Sequence, residues 1–374
     1  MTSHDSGPLR IGFIGGAVNS AIGYTHFAAS RMDGRFSIGC GSFSRHPERN
    51  RESAKAYGVE ASHTYDDWLS MLTQERGQLD AVAVLTPIPD HLEMVRAALE
   101  MGLPVICEKA LAASSEDCRL IGQAVAQHQG FLAVTFNYSG YPMVRELQQR
   151  LASGELGQLQ QIHIEMPQEG FLRQGASPQA WRLKDYSVPT VSLDLGAHVH
   201  HLVNFLSAGL TPQEVMGHQE TFGAFEGIVD NVYCLARYQQ SLLVQSWFGK
   251  TALGYRNGLR LRVFGSKASA EWLQMEPEVL KMSFTDGQQR SIDRGGDTLI
   301  ARQSRYNRFK AGHPSGFIEA FANLYTDIAD HIECHAQGKQ APNQFVQGAE
   351  QSEECLRFLE AIRHSAGTRT WQAA

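Results

Sequence analysis

The chain has 374 residues, 43% of them hydrophobic, and its 33 basic and 39 acidic side chains give a formal charge of −6. That length suits two domains with a sizeable core each. The mild acidity, without a basic stripe, argues against nucleic acid as a partner, and no apolar run approaches the ~20 residues needed to span a bilayer. Met1 to Pro8 is short and polar and lacks the apolar segment of a signal peptide. The 6 cysteines show no Cys-x-x-Cys spacing and read as thiols of a reducing compartment, so a cytoplasmic location is expected.

Leu9 to Gly16 reads as a short strand ending in glycines, and a helical pattern resumes near Ile22. Gly15, Gly16, Ile22 and Gly23 resemble a dinucleotide-binding turn, in which glycines let the backbone approach a pyrophosphate at a helix N-terminus. The turn is larger than G-x-G-x-x-G, since Gly15 and Gly23 are eight positions apart (23 − 15). Phe36 to Gly41 is the next strand, followed by a helix from Pro47 to Tyr57. Leu79 to Leu85 precedes Thr86-Pro87 and a helix from Asp90 to Met101. Val105 to Cys107 precedes Glu108-Lys109 and a helix from Ser114 to His128, and Phe131 to Phe136 closes the series. Strands alternating with helices imply crossover units and a parallel sheet. Ligands bind outside the carboxyl ends of such strands, so Lys109 is expected to face a ligand crevice. The first domain is placed at 9–134 and the second at 135–374.

After Tyr138 the pattern changes. A helix from Met143 to Leu151 leads into a strand from Leu159 to Met166, and a helix covers about Leu193 to Leu206. Runs at 214–222, 231–238, 241–248, 259–264, 268–272 and 279–284 have strand composition and hairpin-like gaps, which predict antiparallel pairing. Gln288 to Gly312, rich in Arg and Gly, reads as a long loop serving as a lid or an oligomer arm. Two long helices, from Phe317 to His335 and from Gln347 to His364, end the chain.

Asp194, His198 and His201 sit at i, i+4 and i+7 and would share one helix face. Three readings stand side by side: acid–base chemistry with an acid orienting an imidazole, a metal site on the three side chains, and a polar helix face with satisfied histidines.

Taken together, these residues resemble the Gfo/Idh/MocA oxidoreductases over nearly the full length. The resemblance rests on Ile11-Gly12-Phe13-Ile14-Gly15 with His26, on Ser44-Arg45-His46-Pro47, and on Thr86-Pro87 with His91. It rests further on Glu108-Lys109, Trp181-Arg182, Asp194-x-Gly196-x-His198, and Gly312-His313-Pro314-Ser315-Gly316, which is similar to a motif of a sugar-dehydrogenase subgroup. The resemblance implies an α/β chain: a Rossmann dinucleotide-binding domain, then an α/β domain with a large open, mostly antiparallel sheet. It implies hydride transfer between NAD or NADP and a secondary alcohol of a sugar, glycoside, inositol or sugar derivative. It further implies catalytic Lys109, Asp194 and His198, with His198 the first choice of general base and Lys109 stabilising the alkoxide. Cofactor contacts are expected from Gly15, Gly16, Ile22, Gly23, Ser44, Arg45, Thr86, Pro87, His91, Glu108 and Lys109. Substrate contacts are expected from Trp181, Arg182, His201 and His313, with no metal. Ala110 stands where the family has proline, Ile88 where it often has asparagine, and Tyr138-Ser139 lacks a common arginine. Ser44 takes the acidic position that selects NAD, and Arg45 follows it, which leans the preference to NADP. A homodimer or homotetramer through the second sheet is implied, with Leu242-Leu243-Val244 among the contact residues. Two further classes are a nucleotide-binding sensor without turnover, suggested by Ala110, and a metal-dependent lyase or hydrolase at Asp194, His198 and His201.

Overall fold

A computed structural model describes residues 7–374; the polar stretch read above from Met1 includes Met1–Ser6, which lie outside the described residues. The chain forms two compact units. One contains the chain up to Ala112, Glu116–Gly140 and Phe317–Glu353, and the other Ala113–Ser115, Tyr141–Gly316 and Glu354–Ala374.

The first unit holds strands β1 (Leu9–Gly15), β2 (Phe36–Ser42), β3 (Ala81–Leu85), β4 (Val105–Cys107) and β5 (Leu132–Val134). They form a parallel sheet in the order β2-β1-β3-β4-β5. All five residues of β3 are buried, as its unbroken apolar run requires of a central parallel strand. Helices α1 (Ala21–Met32), α2 (Pro47–Tyr57), α3 (Trp68–Glu75), α4 (His91–Glu100) and α5 (Ser115–Gln127) occupy the connections. α3 was not anticipated from the sequence. Its signal is the N-cap at Asp67, whose carboxylate accepts from the Ser70 amide at 2.7 Å, followed by Trp68, Leu69, Met71 and Leu72. The late helix Phe317–Ala336 packs here on α1. Its Phe321, Leu324, Tyr325 and Ile328 join Ile11, Phe13, Phe36 and Ile106 in one core. Arg35 ties that helix to the start of β2 through Asp330 at 2.5 Å and Glu333 at 2.9 Å.

In the second unit, α6 (Pro142–Ala152) precedes β6 (Leu159–Pro167), and α7 (Ala197–Leu206) precedes β7 (Pro212–Glu220). There follow β8 (Asn231–Tyr238), β9 (Leu243–Gly249), β10 (Arg260–Gly265), β11 (Ala268–Leu273), β12 (Val279–Phe284), β13 (Gln289–Asp293) and β14 (Gln372–Ala373). The sheet order is β13-β12-β11-β10-β6-β9-β8-β7-β14, antiparallel except where β6 pairs β9. β8 alternates strictly: Cys234, Ala236 and Tyr238 are buried, while Tyr233, Leu235 and Arg237 face outward. α6, α7 and the last helix from Glu354 onward cover the buried face.

Two expectations change here. Leu242 and Val244 are 0% and 2% exposed, so of the Leu242-Leu243-Val244 run only Leu243 belongs to the outward face. That face is mixed rather than apolar: Gln161, His163, Arg237, Gln245 and Arg262 interleave with Tyr233, Leu235 and Trp247. The segment read as a loop from Gln288 to Gly312 contains β13, and α6 pins its remainder. Glu146, fully buried, accepts the backbone N–H groups of Leu299 and Ile300 at 2.9 Å each, that of Ala301 at 3.3 Å, and Arg150 Nε at 3.0 Å. Arg145 donates to the Tyr306 hydroxyl at 2.7 Å, and Arg294 binds the carbonyls of Phe309 and His313 at 3.1 and 3.0 Å. Polar, Gly-rich sequence hides this order, because buried charges rather than apolar residues hold the segment. Glu146→Ala would leave three amides and a guanidinium without this acceptor. It should cost about 3–5 kcal/mol, read by chemical denaturation, and raise amide exchange at Leu299–Ala301; Glu146→Gln, which keeps an acceptor, should cost less.

Candidate active site

In the first unit the carboxyl ends of β1, β3, β4 and β5 lie on one edge of the parallel sheet. The order reverses between β1 and β3, the position at which open α/β sheets bind ligands. Gly15 and Gly16 turn there with φ of +80° and +74°, and neither has room for a side chain. A Cβ on Gly15 would lie 2.9 Å from Thr86 Cγ2, and one on Gly16 2.7 Å from Leu85 Cδ1. Gly23 faces the same turn, its position for a Cβ only 2.2 Å from the Gly16 carbonyl oxygen. The enlarged loop is held from α2: Tyr57 donates to the Gly16 carbonyl at 2.9 Å, and Ser53 accepts from the Val18 amide at 3.1 Å. Ser20, the N-cap of α1, accepts from Gly23, and Ile22 follows at the first turn. After β2, Ser44 accepts from the His46 amide at 3.1 Å while Arg45 is exposed.

The loops after β3 and β4 both place backbone carbonyls at the His91 ring. His91 places Nε2 2.9 Å from the Thr86 carbonyl, and Nδ1 3.1 and 3.2 Å from the carbonyls of Ala110 and Leu111. Burial pushes His91 below the ordinary histidine range, against the pull of those carbonyls and of Glu108. An uncharged ring carries one N–H, so His91 donates either to Thr86 or to the Ala110–Leu111 pair, and its role is in loop geometry. Lys109 is half-buried, and the Lys109–Ala110 bond is cis. Glu108 directs its carboxylate to His26 and Thr135. Pro87 is exposed beside Thr86, and Ile88 is buried. Sequence reasoning missed Asn137, in the turn after β5. Its side chain is 1% exposed, and both its amide nitrogen and oxygen lack a hydrogen-bond partner. An unpaired buried donor and acceptor side by side is costly unless a ligand completes it. The glycine cradle and this amide together suit a dinucleotide whose carboxamide needs one donor and one acceptor.

In the second unit Asp194 lies in a π-helical turn, Ser192–Gly196, that runs into α7. The reading of one α-helix over this stretch is therefore corrected: the wider turn changes the Asp194-to-His198 offset. Gly196 permits it, since a Cβ there would sit 2.9 Å from both Leu359 and Phe248. Asp194 Oδ2 takes two cations, Arg182 Nη1 and Lys250 Nζ, the latter at 2.6 Å. Lys250, just past β9, also reaches Gln168 Oε1 at 3.4 Å. Sequence reasoning missed it, because nothing near it signals a partner 56 residues away. Arg182 lies over the Trp181 ring at 4.3 Å, and both donate to Gln179. His198 and His201 are 6% and 2% exposed. Between them, burial and the neighbouring His201 push His200 down to about 3, so it stays uncharged. His313 is exposed and packs edge-on to Phe309 at 4.6 Å. Among the described residues no group of three His, Cys, Asp or Glu side chains is arranged to hold a metal ion, so the metal reading of Asp194, His198 and His201 has no geometric support.

Residues 9–136 match the model of the oxidoreductase family with an NAD-binding Rossmann fold, and 144–271 that of the GFO/IDH/MocA C-terminal domain. The chain belongs to the GFO/IDH/MocA oxidoreductases. It is 28% identical to the oxidoreductase YfiI of Bacillus subtilis over 88% of this chain and 86% of that one. It is also similar to a solved inositol dehydrogenase homologue of Azotobacter vinelandii complexed with NAD+. That likeness has a TM-score of 0.91 and 28% identity, and covers 99% of this chain and 98% of the other. Levoglucosan dehydrogenase, solved with NADH and levoglucosan, shares the fold with a TM-score of 0.84 at 21% identity, over 98% and 99% of the two chains. This GFO/IDH/MocA chain is thus a nicotinamide-dependent oxidoreductase acting on CH–OH groups.

Proposed function

We propose that this enzyme interconverts a secondary alcohol and a ketone on a cyclic polyol or sugar. The observation that carries the reading is Lys109, presented at the carboxyl end of β4 while the adjacent carboxylate of Glu108 is turned to other partners. The nicotinamide, when bound, supplies the hydride acceptor or donor. Lys109 donates a hydrogen bond to the substrate oxygen and stabilises charge that grows there as the C–H bond breaks. His198 takes the hydroxyl proton in the oxidation direction and returns it in the reduction. Asp194, bonded to two cations, has a positioning role: its carboxylate aligns Arg182 and Lys250, whose donors suit substrate hydroxyls. Trp181, His201 and His313 are the remaining substrate candidates. The inositol and levoglucosan dehydrogenases among its relatives point to the same substrate class.

The cofactor reading leans to NADP. β2 ends without an acid, so nothing there repels a 2′-phosphate, and the exposed Arg45 beside Ser44 can pair one bidentately. We further propose a homodimer or homotetramer through the outward face of the second sheet. Tyr233 and Leu235 there are 40% and 37% exposed, and Tyr233 stacks on Trp247 with ring centroids 6.0 Å apart. The mixed polarity of that face calls for paired charges as well as apolar contact.

A screen of cofactor reduction against inositols, sugars and glycosides identifies the substrate. His198→Asn should then lower kcat by ~10²–10⁴ with cofactor affinity little changed; turnover like that of the wild type would remove His198 as the base. Arg45→Ala should raise the KM for NADP more than about tenfold while sparing NAD, and a wild-type preference for NAD overturns the lean. Light scattering at micromolar concentration should give a dimer or tetramer mass, and a monomer contradicts the interface.

A further inference from the structure

A buried chain of hydrogen bonds stands behind Lys109. His26 in α1 is 0% exposed, Tyr325 in the Phe317–Ala336 helix 1%, Glu108 7% and Thr135 0%. The Tyr325 hydroxyl lies 2.6 Å from His26 Nδ1, His26 Nε2 lies 3.0 Å from Glu108 Oε1, and Thr135 Oγ1 donates to the same oxygen at 2.5 Å. The directions of these bonds follow from the chemistry of the ends. Burial opposes ionisation of Glu108. His26, the neighbouring Lys109 and the Thr135 hydroxyl outweigh it and hold the carboxyl below the usual glutamate range, so Glu108 only accepts. Burial, with Glu108 adding to it, pushes the Tyr325 phenol well above its ordinary range, so it stays protonated and can donate. His26 Nε2 then donates to Glu108, and Nδ1 is left to meet the Tyr325 hydroxyl. Phe321 packs edge-on against the ring at 5.0 Å.

We infer that Tyr325, His26 and Glu108 form a positioning relay that fixes the backbone of Lys109 and orients the Glu108 carboxylate next to it. Thr135 and the α1 histidine hold the residue before Lys109. His91 Nδ1 lies at the carbonyls of the two residues after it. Buried imidazoles thus lie on both sides of Lys109, at the residue before it and at the two after it. None of the three relay residues is a catalytic residue; they act through Lys109. The inference rests on the reading that Lys109 works on the substrate oxygen.

The test has two arms. In the first, ¹⁵N-histidine NMR of the intact enzyme at pH 8, with His26 assigned by its loss in His26→Gln, should show the Nε2–H tautomer. Tyr325→Phe should move the Nδ1 resonance downfield as its hydrogen bond is lost. An Nδ1–H tautomer, or no response to Tyr325→Phe, overturns the relay without any need for turnover. In the second, kcat is measured with saturating cofactor on myo-inositol or, where that is not oxidised, the fastest polyol of the screen. Tyr325→Phe should lower kcat about 3–10-fold and His26→Leu about 100-fold, with NADH affinity by fluorescence within about twofold of wild type. His26→Gln, which can both donate and accept, should recover at least about tenfold over His26→Leu. Wild-type kcat in folded Tyr325→Phe and His26→Leu, or losses confined to cofactor affinity, overturn the proposal. Should His26→Leu not fold, Tyr325→Phe and His26→Gln decide it. Lys109→Ala separates the two ideas. If it turns over normally, the reading of Lys109 fails and takes the relay with it. If it is inactive while the relay variants are not, the relay alone fails.

Discussion

The parallel register of β1, β3, β4 and β5 is the constraint on which the rest of the first unit depends. Parallel strands leave a sheet in the same direction, so the glycine turn, Thr86, Glu108-Lys109 and Asn137 emerge at one edge. No loop there is long enough to find that place unaided. Each is short, and each meets a buried polar group: Tyr57 and Ser53 on the glycine turn, His91 at the Thr86 and Ala110 carbonyls, and His26 on Glu108. Such bonds are worth little net individually, but a buried polar group deprived of its partner is expensive. This makes them specific: the wrong loop conformation strands several groups at once.

The second unit solves a different problem with charge. Its sheet is mostly antiparallel and one-sided, and its long polar segments cannot be held by burying apolar area. Glu146, Arg150, Arg294 and Asp194 take that role, each bonded to more than one group. Asp194 with Arg182 and Lys250 carries one negative and two positive charges. Removal of either cation leaves the other as a simple pair; removal of the carboxylate leaves two like charges facing one another.

Much of this was legible in the sequence, for reasons that can be named. β3 and β4 read as unbroken apolar runs because both faces of a parallel sheet are covered, and β8 reads as strict alternation because one face of its sheet is not. Lys109 was placed at a strand end because an apolar run stops just before it. What escaped depends on partners remote in the chain. Asp194 shows an acid near histidines, yet its bonded cations come from Arg182 and Lys250. Asn137 is an ordinary polar residue until its burial is known. The π turn at Ser192–Gly196 has no periodic signature, since one inserted residue does not disturb a short apolar pattern. The Arg/Gly-rich segment looked unstructured because its order rests on buried ions rather than on hydrophobic periodicity.

The long sequence separation of the His26–Tyr325 contact, 299 residues, bears on how the chain is made. Strands β1 to β5 leave the ribosome early and can pair at once, but the helix that seals Ile11, Phe13 and Ile106 is translated only after the Tyr141–Gly316 part of the second unit. At ~5–20 residues per second, that interval lasts on the order of ten seconds or more. Throughout it, the nascent sheet keeps an apolar face uncovered and His26 lacks its phenol. The nucleotide-binding unit, first to be synthesised, is therefore among the last to be finished, and a ribosome stalled before Phe317 leaves a chain fit for chaperones rather than for chemistry.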